Sequence, residues 1–131
     1  MEATEPLRVL IVEDESLVAM MIEDILTLQG LEVIANVATV PAALQAVEQG
    51  GFDIALLDVN IGGQQVFPVA EAIRDRGLPL VFATGYGLQG IREDLRHLPV
   101  VAKPFSPEYL VRCLRAAADS HARPATGEVP V

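Results

Sequence analysis

The chain of 131 residues has little of what several protein classes require. Its one cysteine cannot form an internal disulfide bond, and its 9 basic against 18 acidic side chains leave no basic stripe for a nucleic-acid backbone. No apolar run approaches the ~18 residues that a membrane-spanning helix needs. These deficits argue against a disulfide-stapled scaffold, a nucleic-acid binder and a membrane protein.

The start of the chain also lacks positive charge, since Glu2 and Glu5 occupy the region where a signal peptide would carry basic residues. Aromatic residues make up 5% of the chain and hydrophobic residues 51%, so the core must be built mainly from Leu, Val, Ile and Ala. The length suits one domain. We therefore expect a cytoplasmic protein with a single compact core.

Five apolar stretches alternate with stretches of helical periodicity and predict five strands, at residues 7–12, 31–37, 52–58, 78–83 and 99–102. Strands that alternate with helices favour an α/β fold, here a doubly wound (βα)5 parallel sheet with right-handed crossovers. The second stretch is the least apolar and suits a sheet edge. The sequence therefore predicts a flavodoxin-like strand order of 2-1-3-4-5.

The helical segments differ in how many apolar anchors they carry. The first is predicted to begin near Ser16 and to bury a stripe at helical spacing, formed by Val18, Met21, Ile22, Ile25 and Leu28. Residues 88–97 have only Ile91 and Leu95 as an apolar pair, which predicts a weak, short helix at most. After residue 119 the periodicity is lost, so we expect a domain over 6–119 and a disordered C-terminal tail over 120–131.

Polar residues stand where four of the predicted strands end: Glu13 and Asp14 after the first, Asp58 on the third, Thr84 after the fourth and Lys103 after the fifth. Because the carboxyl ends of parallel strands meet at one edge, these side chains should converge. Clustered carboxylates with no nitrogen or sulfur ligand suit Mg²⁺. A hydroxyl and an ammonium beside them suit charge neutralisation during phosphoryl transfer. The pattern predicts that Asp58 is a nucleophile that forms an aspartyl phosphate.

These residues match a known family. In order and spacing, Glu13-Asp14, Asp58, Thr84 and Lys103-Pro104 resemble the receiver domain of two-component response regulators, over roughly residues 6 to 119. The resemblance implies that Asp58 is the phosphoacceptor and that the cofactor is Mg²⁺ or Mn²⁺. It implies a metal site formed by the side chains of Asp14 and Asp58, by Glu13 through a bound water, and by the backbone carbonyl of Asn60. It further implies phosphoryl contacts from Thr84, Gly85 and Lys103, and a cis bond before Pro104.

The run Phe82-Ala83-Thr84-Gly85 resembles a subgroup of bacterial receivers with this signature, many of which are stand-alone domains. Two departures from the general family concern switching. Val100 replaces an aromatic residue that many receivers carry three positions before the lysine. The run Ile61-Gly62-Gly63 lacks the usual proline, so this loop is expected to be more mobile. We expect the switch at Gly85, Tyr86, Gly87 and the weak helix after them, with Tyr86 either a moving part, a partner contact or an aromatic packed on a neighbouring helix.

The expected function is that of a single-domain response regulator. It would take a phosphoryl group from a histidine kinase or a histidine phosphotransferase, and either signal through altered protein contacts or act as a phosphate sink. It would not be an enzyme beyond slow self-catalysed phosphorylation and dephosphorylation, and it would be a monomer or weak dimer. Two alternatives remain: a receiver-like interaction domain independent of phosphorylation, and a small haloacid-dehalogenase-like phosphatase, which would want an aspartate at the position of Asn60.

Overall fold

The computed structural model describes residues 5–122. The strands are β1 Arg8–Val12, β2 Glu32–Val37, β3 Ile54–Asp58, β4 Asn60–Ile61, β5 Gln64–Gln65, β6 Leu80–Thr84 and β7 Val100–Ala102. Five of them form one parallel sheet in the order β2-β1-β3-β6-β7, and β4 pairs with β5 in a separate antiparallel hairpin. Since β6 and β7 are the predicted fourth and fifth strands, the predicted α/β fold and the order 2-1-3-4-5 are confirmed.

Within residues 5–122, four helices cover the two faces of the sheet: α1 Ser16–Leu28, α2 Val40–Gln49, α3 Phe67–Asp75 and α4 Pro107–Ala122. Successive residues of a strand point to opposite faces, so β1 contributes to two separate cores. Leu10 packs with residues of α2 and α3, whereas Ile11 packs with residues of α1 and α4. This three-layer arrangement leaves the carboxyl ends of the strands free to carry polar side chains.

The buried face of α1 differs from the predicted stripe. Its buried residues are Ala19, Ile22 and Leu26, while Met21 and Leu28 are 49% and 85% exposed. A helix that is rich in Leu, Met and Ile on several sides offers more than one stripe at helical spacing, so periodicity alone does not decide which stripe is buried. The prediction is therefore wrong at Met21 and Leu28.

The segment between β6 and β7 forms no α-helix. It contains two short 3₁₀ turns, Gly87–Gly90 and Glu93–Leu95. Ile91 and Leu95 are its two buried residues. Two anchors four positions apart hold the segment on the core without enough apolar surface for a longer helix, which agrees with the expectation of a weak helix at most.

The last helix extends further than predicted. α4 continues to Ala122, three residues beyond the predicted domain end at 119, and the ring nitrogen Nε2 of His121 is hydrogen-bonded to the carbonyl of Gly77. The predicted tail therefore cannot begin at residue 120, because a polar contact holds the helix end where apolar periodicity has ceased. The rest of that prediction, 123–131, lies outside the described residues.

Across residues 5–122, no helix has the length and apolar character needed to span a membrane.

Candidate metal and phosphorylation site

Three carboxylates meet at the carboxyl edge of the sheet. β1 and β3 are adjacent and in register, with Val12 opposite Leu57, so the residues that follow them lie side by side. Oxygen atoms of Glu13, Asp14 and Asp58 all lie within 4.8 Å of one another. Glu13 is buried, Asp58 is half-buried and Asp14 is exposed. The structure thus brings together the three acids that the sequence placed at neighbouring strand ends.

Lys103 completes this cluster from the end of β7. Its Nζ lies 3.3 Å from Glu13 Oε1 and 3.3 Å from Asp58 Oδ1. Burial lowers the pKa of Lys103, but the charges of Asp58 and Glu13 more than reverse that effect, so its pKa is raised above the usual value. The ammonium group is therefore charged at neutral pH and partly neutralises the acids. The peptide bond between Lys103 and Pro104 is cis, as the resemblance implied.

Glu13 is the most buried of the three acids. Burial raises its pKa, and the neighbouring negative charge of Asp58 raises it further. The backbone N–H of Glu15, which donates to Glu13 Oε2 at 3.2 Å, and the ammonium of Lys103 only partly offset this. Crowded carboxylates that remain short of positive charge are the arrangement expected where a cation binds.

The two oxygens of Asp58 have different partners. Oδ1 accepts a hydrogen bond from the backbone N–H of Val59 at 2.9 Å and is also the oxygen nearest to Lys103. Oδ2 has no hydrogen-bond donor among residues 5–122. The carboxylate is therefore held through one oxygen and presents the other.

Asp14 is tied to the loop that follows Asp58. The backbone N–H of Gly62 donates to Asp14 Oδ2 at 2.9 Å. Gly62 and Gly63 have φ values of 58° and 83° and form the turn between β4 and β5, where Ile61 pairs with Gln64. Two successive positive φ values suit the primed turn of a two-residue hairpin. The structure therefore has a hydrogen-bonded hairpin at this loop, with the Gly-Gly pair at its turn. The expected greater mobility of the loop stays a prediction.

Thr84 stands at the end of β6, next to β3. Its side chain is 2% exposed, and Oγ1 accepts a hydrogen bond from the backbone N–H of Tyr86 at 3.0 Å. The carbonyl of Thr84 accepts from the backbone N–H of Lys103 at 2.9 Å, which joins the ends of β6 and β7. Thr84 lies at the same edge as Asp58, since the preceding Ala83 is the register partner of Asp58.

The predicted switch residues come directly after Thr84 in the chain. Gly85 and Tyr86 make the turn out of β6, and Gly87, with a φ of 63°, begins the first 3₁₀ turn. Tyr86 is 79% exposed, so the alternative in which it packs on a neighbouring helix is wrong. Val100 is the register partner of Phe82 and packs against the core, so this position holds no aromatic ring that could turn inward.

The donor set fits a hard divalent cation. Glu13, Asp14 and Asp58 offer only carboxylate oxygens, which Mg²⁺ prefers, and one or two direct carboxylates with several waters are its usual environment in proteins. Asn60 is exposed on β4, two positions after Asp58. Its backbone carbonyl as a ligand, like the water-mediated role of Glu13, stays a prediction.

Sequence reasoning missed two residues that shape this site. One is Gly62, whose N–H holds Asp14; a Gly-Gly pair flanked by alternating residues is a hairpin signal that could have identified it. The other is Gly90, where an added Cβ would lie 3.4 Å from Thr84 Oγ1 and 3.4 Å from Tyr86 Cβ. A glycine six positions after the threonine carries no such signal, because the approach depends on the 3₁₀ turn.

Comparison with known proteins agrees with this geometry. The family model described as the response regulator receiver domain matches residues 9–115. The chain belongs to this receiver domain family. Among curated proteins, the transcriptional regulatory protein PdtaR of Mycobacterium tuberculosis is 28% identical over 120 residues, which cover 88% of this chain and 58% of PdtaR. The receiver domain thus spans little more than half the length of this relative.

Solved structures of receivers superpose well on this one. SdrG from Sphingomonas melonis Fr1 is 43% identical with a TM-score of 0.77, over 88% of this chain and 98% of SdrG. The receiver domain of the sensor histidine kinase PA1611 from Pseudomonas aeruginosa PAO1 is 27% identical with a TM-score of 0.77, over 87% of this chain and 98% of that one. That structure has a magnesium ion coordinated in its active site cleft.

Proposed function

We propose that this receiver domain accepts a phosphoryl group on Asp58 from a histidine kinase or a histidine phosphotransferase. The observation that supports this most directly is the pairing of Lys103 with Asp58 at 3.3 Å, inside a cluster of three acids. An ammonium group that already contacts the nucleophile is placed to neutralise the charge that a phosphoryl group brings. Phosphorylation would add about −1.5 to −2 charge at this point.

The reaction is a direct transfer between two side chains. The oxygen Oδ2 of Asp58 is the proposed nucleophile, because Oδ1 is occupied by the N–H of Val59 and by Lys103. Oδ2 forms the new O–P bond while the P–N bond of the donor phosphohistidine breaks, and the imidazole nitrogen leaves with the bonding electron pair. Thr84 and Gly85 at the end of β6 and Lys103 at the end of β7 would contact the transferred oxygens.

The acids would hold Mg²⁺ or Mn²⁺ during this transfer. Asp14 and Asp58 would provide side-chain oxygens, Asn60 its backbone carbonyl, and Glu13 a contact through water. The cation supplies neutralisation of the negative charge shared by the carboxylates and the phosphoryl oxygens. Asp14 is oriented for this task by the N–H of Gly62, so the hairpin sets the position of a ligand.

The output would be a change in protein contacts, or the draining of phosphoryl groups from a kinase, without turnover of a small-molecule substrate. The exposed Tyr86 and the turns after Thr84 lie next to the phosphorylated residue and would present that change to a downstream protein. A cytoplasmic location, a monomeric or weakly dimeric state and the absence of nucleic-acid and membrane partners stay predictions of the sequence.

An amide NMR titration tests this proposal. Mg²⁺ is added first, and beryllofluoride, which mimics an aspartyl phosphate, is added second. We expect Mg²⁺ to shift the amides near Asp14, Asp58 and Asn60, and beryllofluoride to extend the shifts to residues 84–95. The variant Asp58→Asn should keep the wild-type fold and lose the beryllofluoride response. A folded wild-type protein that ignores beryllofluoride in the presence of Mg²⁺ would overturn the proposal and favour an interaction domain independent of phosphorylation.

A further inference from the structure

The connection between β6 and β7, residues 85–99, is tied to α3 by one side chain. Arg92 lies between the two 3₁₀ turns of this connection. Its Nη2 donates a hydrogen bond to Glu71 Oε2 on α3, and its Nε donates to Asp94 Oδ1 at 2.7 Å within the connection. The guanidinium carbon also lies 5.7 Å from the centre of the Phe67 ring at the start of α3.

Among the described residues, no second side-chain hydrogen bond supports this tie between the connection and α3. Across residues 5–122, the contact of Arg92 with Glu71 is the only side-chain hydrogen bond between the connection and α3. The bonds from Arg92 to Asp94, and from Arg96 Nε to the carbonyl of Ile91 at 2.8 Å, stay within the connection. Arg92 therefore ties the connection to α3 by a hydrogen bond, beside the apolar contacts that the buried Ile91 and Leu95 and the partly buried Leu98 make with the core.

The contacts continue from Arg92 to the strand that carries Thr84. Phe67 packs edge-to-face against Phe82, with ring centres 6.1 Å apart and an interplanar angle of 79°. Phe82 is buried on β6, two positions before Thr84. The connection that Arg92 restrains includes Tyr86, whose N–H donates to the Thr84 hydroxyl oxygen, and Gly90, where an added Cβ would lie 3.4 Å from that oxygen.

We propose that Arg92 is a positioning residue: its bond to Glu71 holds the connection against α3 and thereby keeps the Thr84 hydroxyl ordered for phosphoryl contact. This inference rests on the proposed function, because it assigns Arg92 to the same site. A side chain that is ordered before binding loses less conformational freedom when the phosphoryl group arrives. No aromatic ring is available at Val100 to order this region from the other side.

The exposure of the Arg92 and Glu71 side chains sets how large an effect we expect from losing their ion pair. The side chains of Arg92 and Glu71 are 41% and 51% exposed, so their pairing has the modest strength of a surface ion pair. Losing it should weaken beryllofluoride affinity about two- to fivefold, without abolishing it. The thermal midpoint of the protein should change little, since the buried anchors Ile91 and Leu95 stay in place.

The chain offers a matched pair of variants. Glu71→Gln and Asp94→Asn each remove one carboxylate from the same guanidinium and change the net charge equally. Only Glu71 lies on α3, so only its bond with Arg92 joins the two elements, whereas Asp94 belongs to the connection itself. The experiment measures amide hydrogen exchange over residues 85–99 without ligand, then beryllofluoride affinity in the presence of Mg²⁺, for the wild type and both variants.

We expect Glu71→Gln to speed exchange across 85–99 and to weaken beryllofluoride binding, and Asp94→Asn to leave both near the wild-type values. Arg92→Gln should reproduce the effect of Glu71→Gln, and combining the two should add nothing further. Equal effects of Glu71→Gln and Asp94→Asn, or wild-type exchange and affinity in Glu71→Gln, would overturn the inference. Failure of the proposed function is distinguishable, because the wild type itself would then not bind beryllofluoride while the exchange comparison remains informative.

Discussion

The Lys103 ammonium nitrogen lies 3.3 Å from Asp58 Oδ1, although the two residues end strands that are not neighbours in the sheet. β6 stands between them, and its end provides Thr84, whose carbonyl binds the N–H of Lys103. The Lys103 side chain thus extends past the carboxyl end of β6 to reach Asp58 and Glu13. This places an ammonium group, a carboxylate and a hydroxyl at one edge of the sheet, an arrangement suited to the proposed phosphoryl transfer.

The first prediction concerns the pH dependence of stability through Glu13. Its raised pKa means that the native state binds the proton more tightly than the unfolded state, so stability falls as the pH rises through that pKa. In metal-free buffer at neutral pH, Glu13→Gln should therefore be more stable than the wild type. The gain in stability should disappear at a pH below the ordinary glutamate pKa of 4.5, where Glu13 of the wild type is neutral like the glutamine of the variant.

Chemical denaturation across this pH range, with a chelator present, measures the effect. The exposed Glu48 on α2 provides a control, because Glu48→Gln removes the same charge away from the site and should show no such difference. A Glu13→Gln variant that is less stable than the wild type at neutral pH would show that attraction to Lys103 outweighs burial and the repulsion from Asp58.

The second prediction concerns metal binding. A cation that binds only the folded state stabilises it by about 2.7 kcal/mol when its concentration is 100 times the dissociation constant. Mg²⁺ should therefore raise the thermal midpoint of the wild type, while Asp14→Asn should lose most of that rise because one of the direct ligands is gone. Glu48→Gln should respond as the wild type does. An unchanged Mg²⁺ response in Asp14→Asn would remove Asp14 from the metal site.

The third prediction concerns the hydroxyl of Thr84. Thr84→Val keeps the shape of the buried side chain but leaves the N–H of Tyr86 without its acceptor. We expect beryllofluoride affinity to fall about 10- to 150-fold, since a hydrogen bond to a charged group is worth about 1.5–3 kcal/mol. Thr84→Ser, which restores the hydroxyl, should recover most of the affinity. Wild-type affinity in Thr84→Val, measured by the same titration, would contradict a phosphoryl contact from this residue.

The sheet and the acid cluster could be predicted because they depend on only two features, the positions where the strands end and the order of the strands in the sheet. A hydrophobic run that ends in an acid fixes where a strand stops, and strand order then decides which ends meet. Glu13 and Asp58 follow from this logic, and so does the reach of Lys103 to the same edge. The hydrophobic pattern predicts the strand ends and the topology brings those ends together, so the predicted and observed positions of these side chains agree.

Other features depend on contacts that the pattern does not encode. α1 carries two overlapping apolar stripes, and the structure buries the one with Ala19, Ile22 and Leu26 and leaves Leu28 exposed. The bond between Arg92 and Glu71 joins residues 21 positions apart on elements whose relative placement is set by the core. No local periodicity relates two such residues, so only the structure reveals them.

The measurement that tests the central claim most directly is the intact mass of the protein after incubation with Mg²⁺ and acetyl phosphate. The wild type should gain the mass of one phosphoryl group, and Asp58→Asn should gain none while remaining folded. Asp53→Asn is the matched control, since Asp53 lies just before the same strand but pairs with Arg8, and it should be labelled as the wild type is. Label that persists in Asp58→Asn would contradict the assignment of Asp58 as the phosphoacceptor.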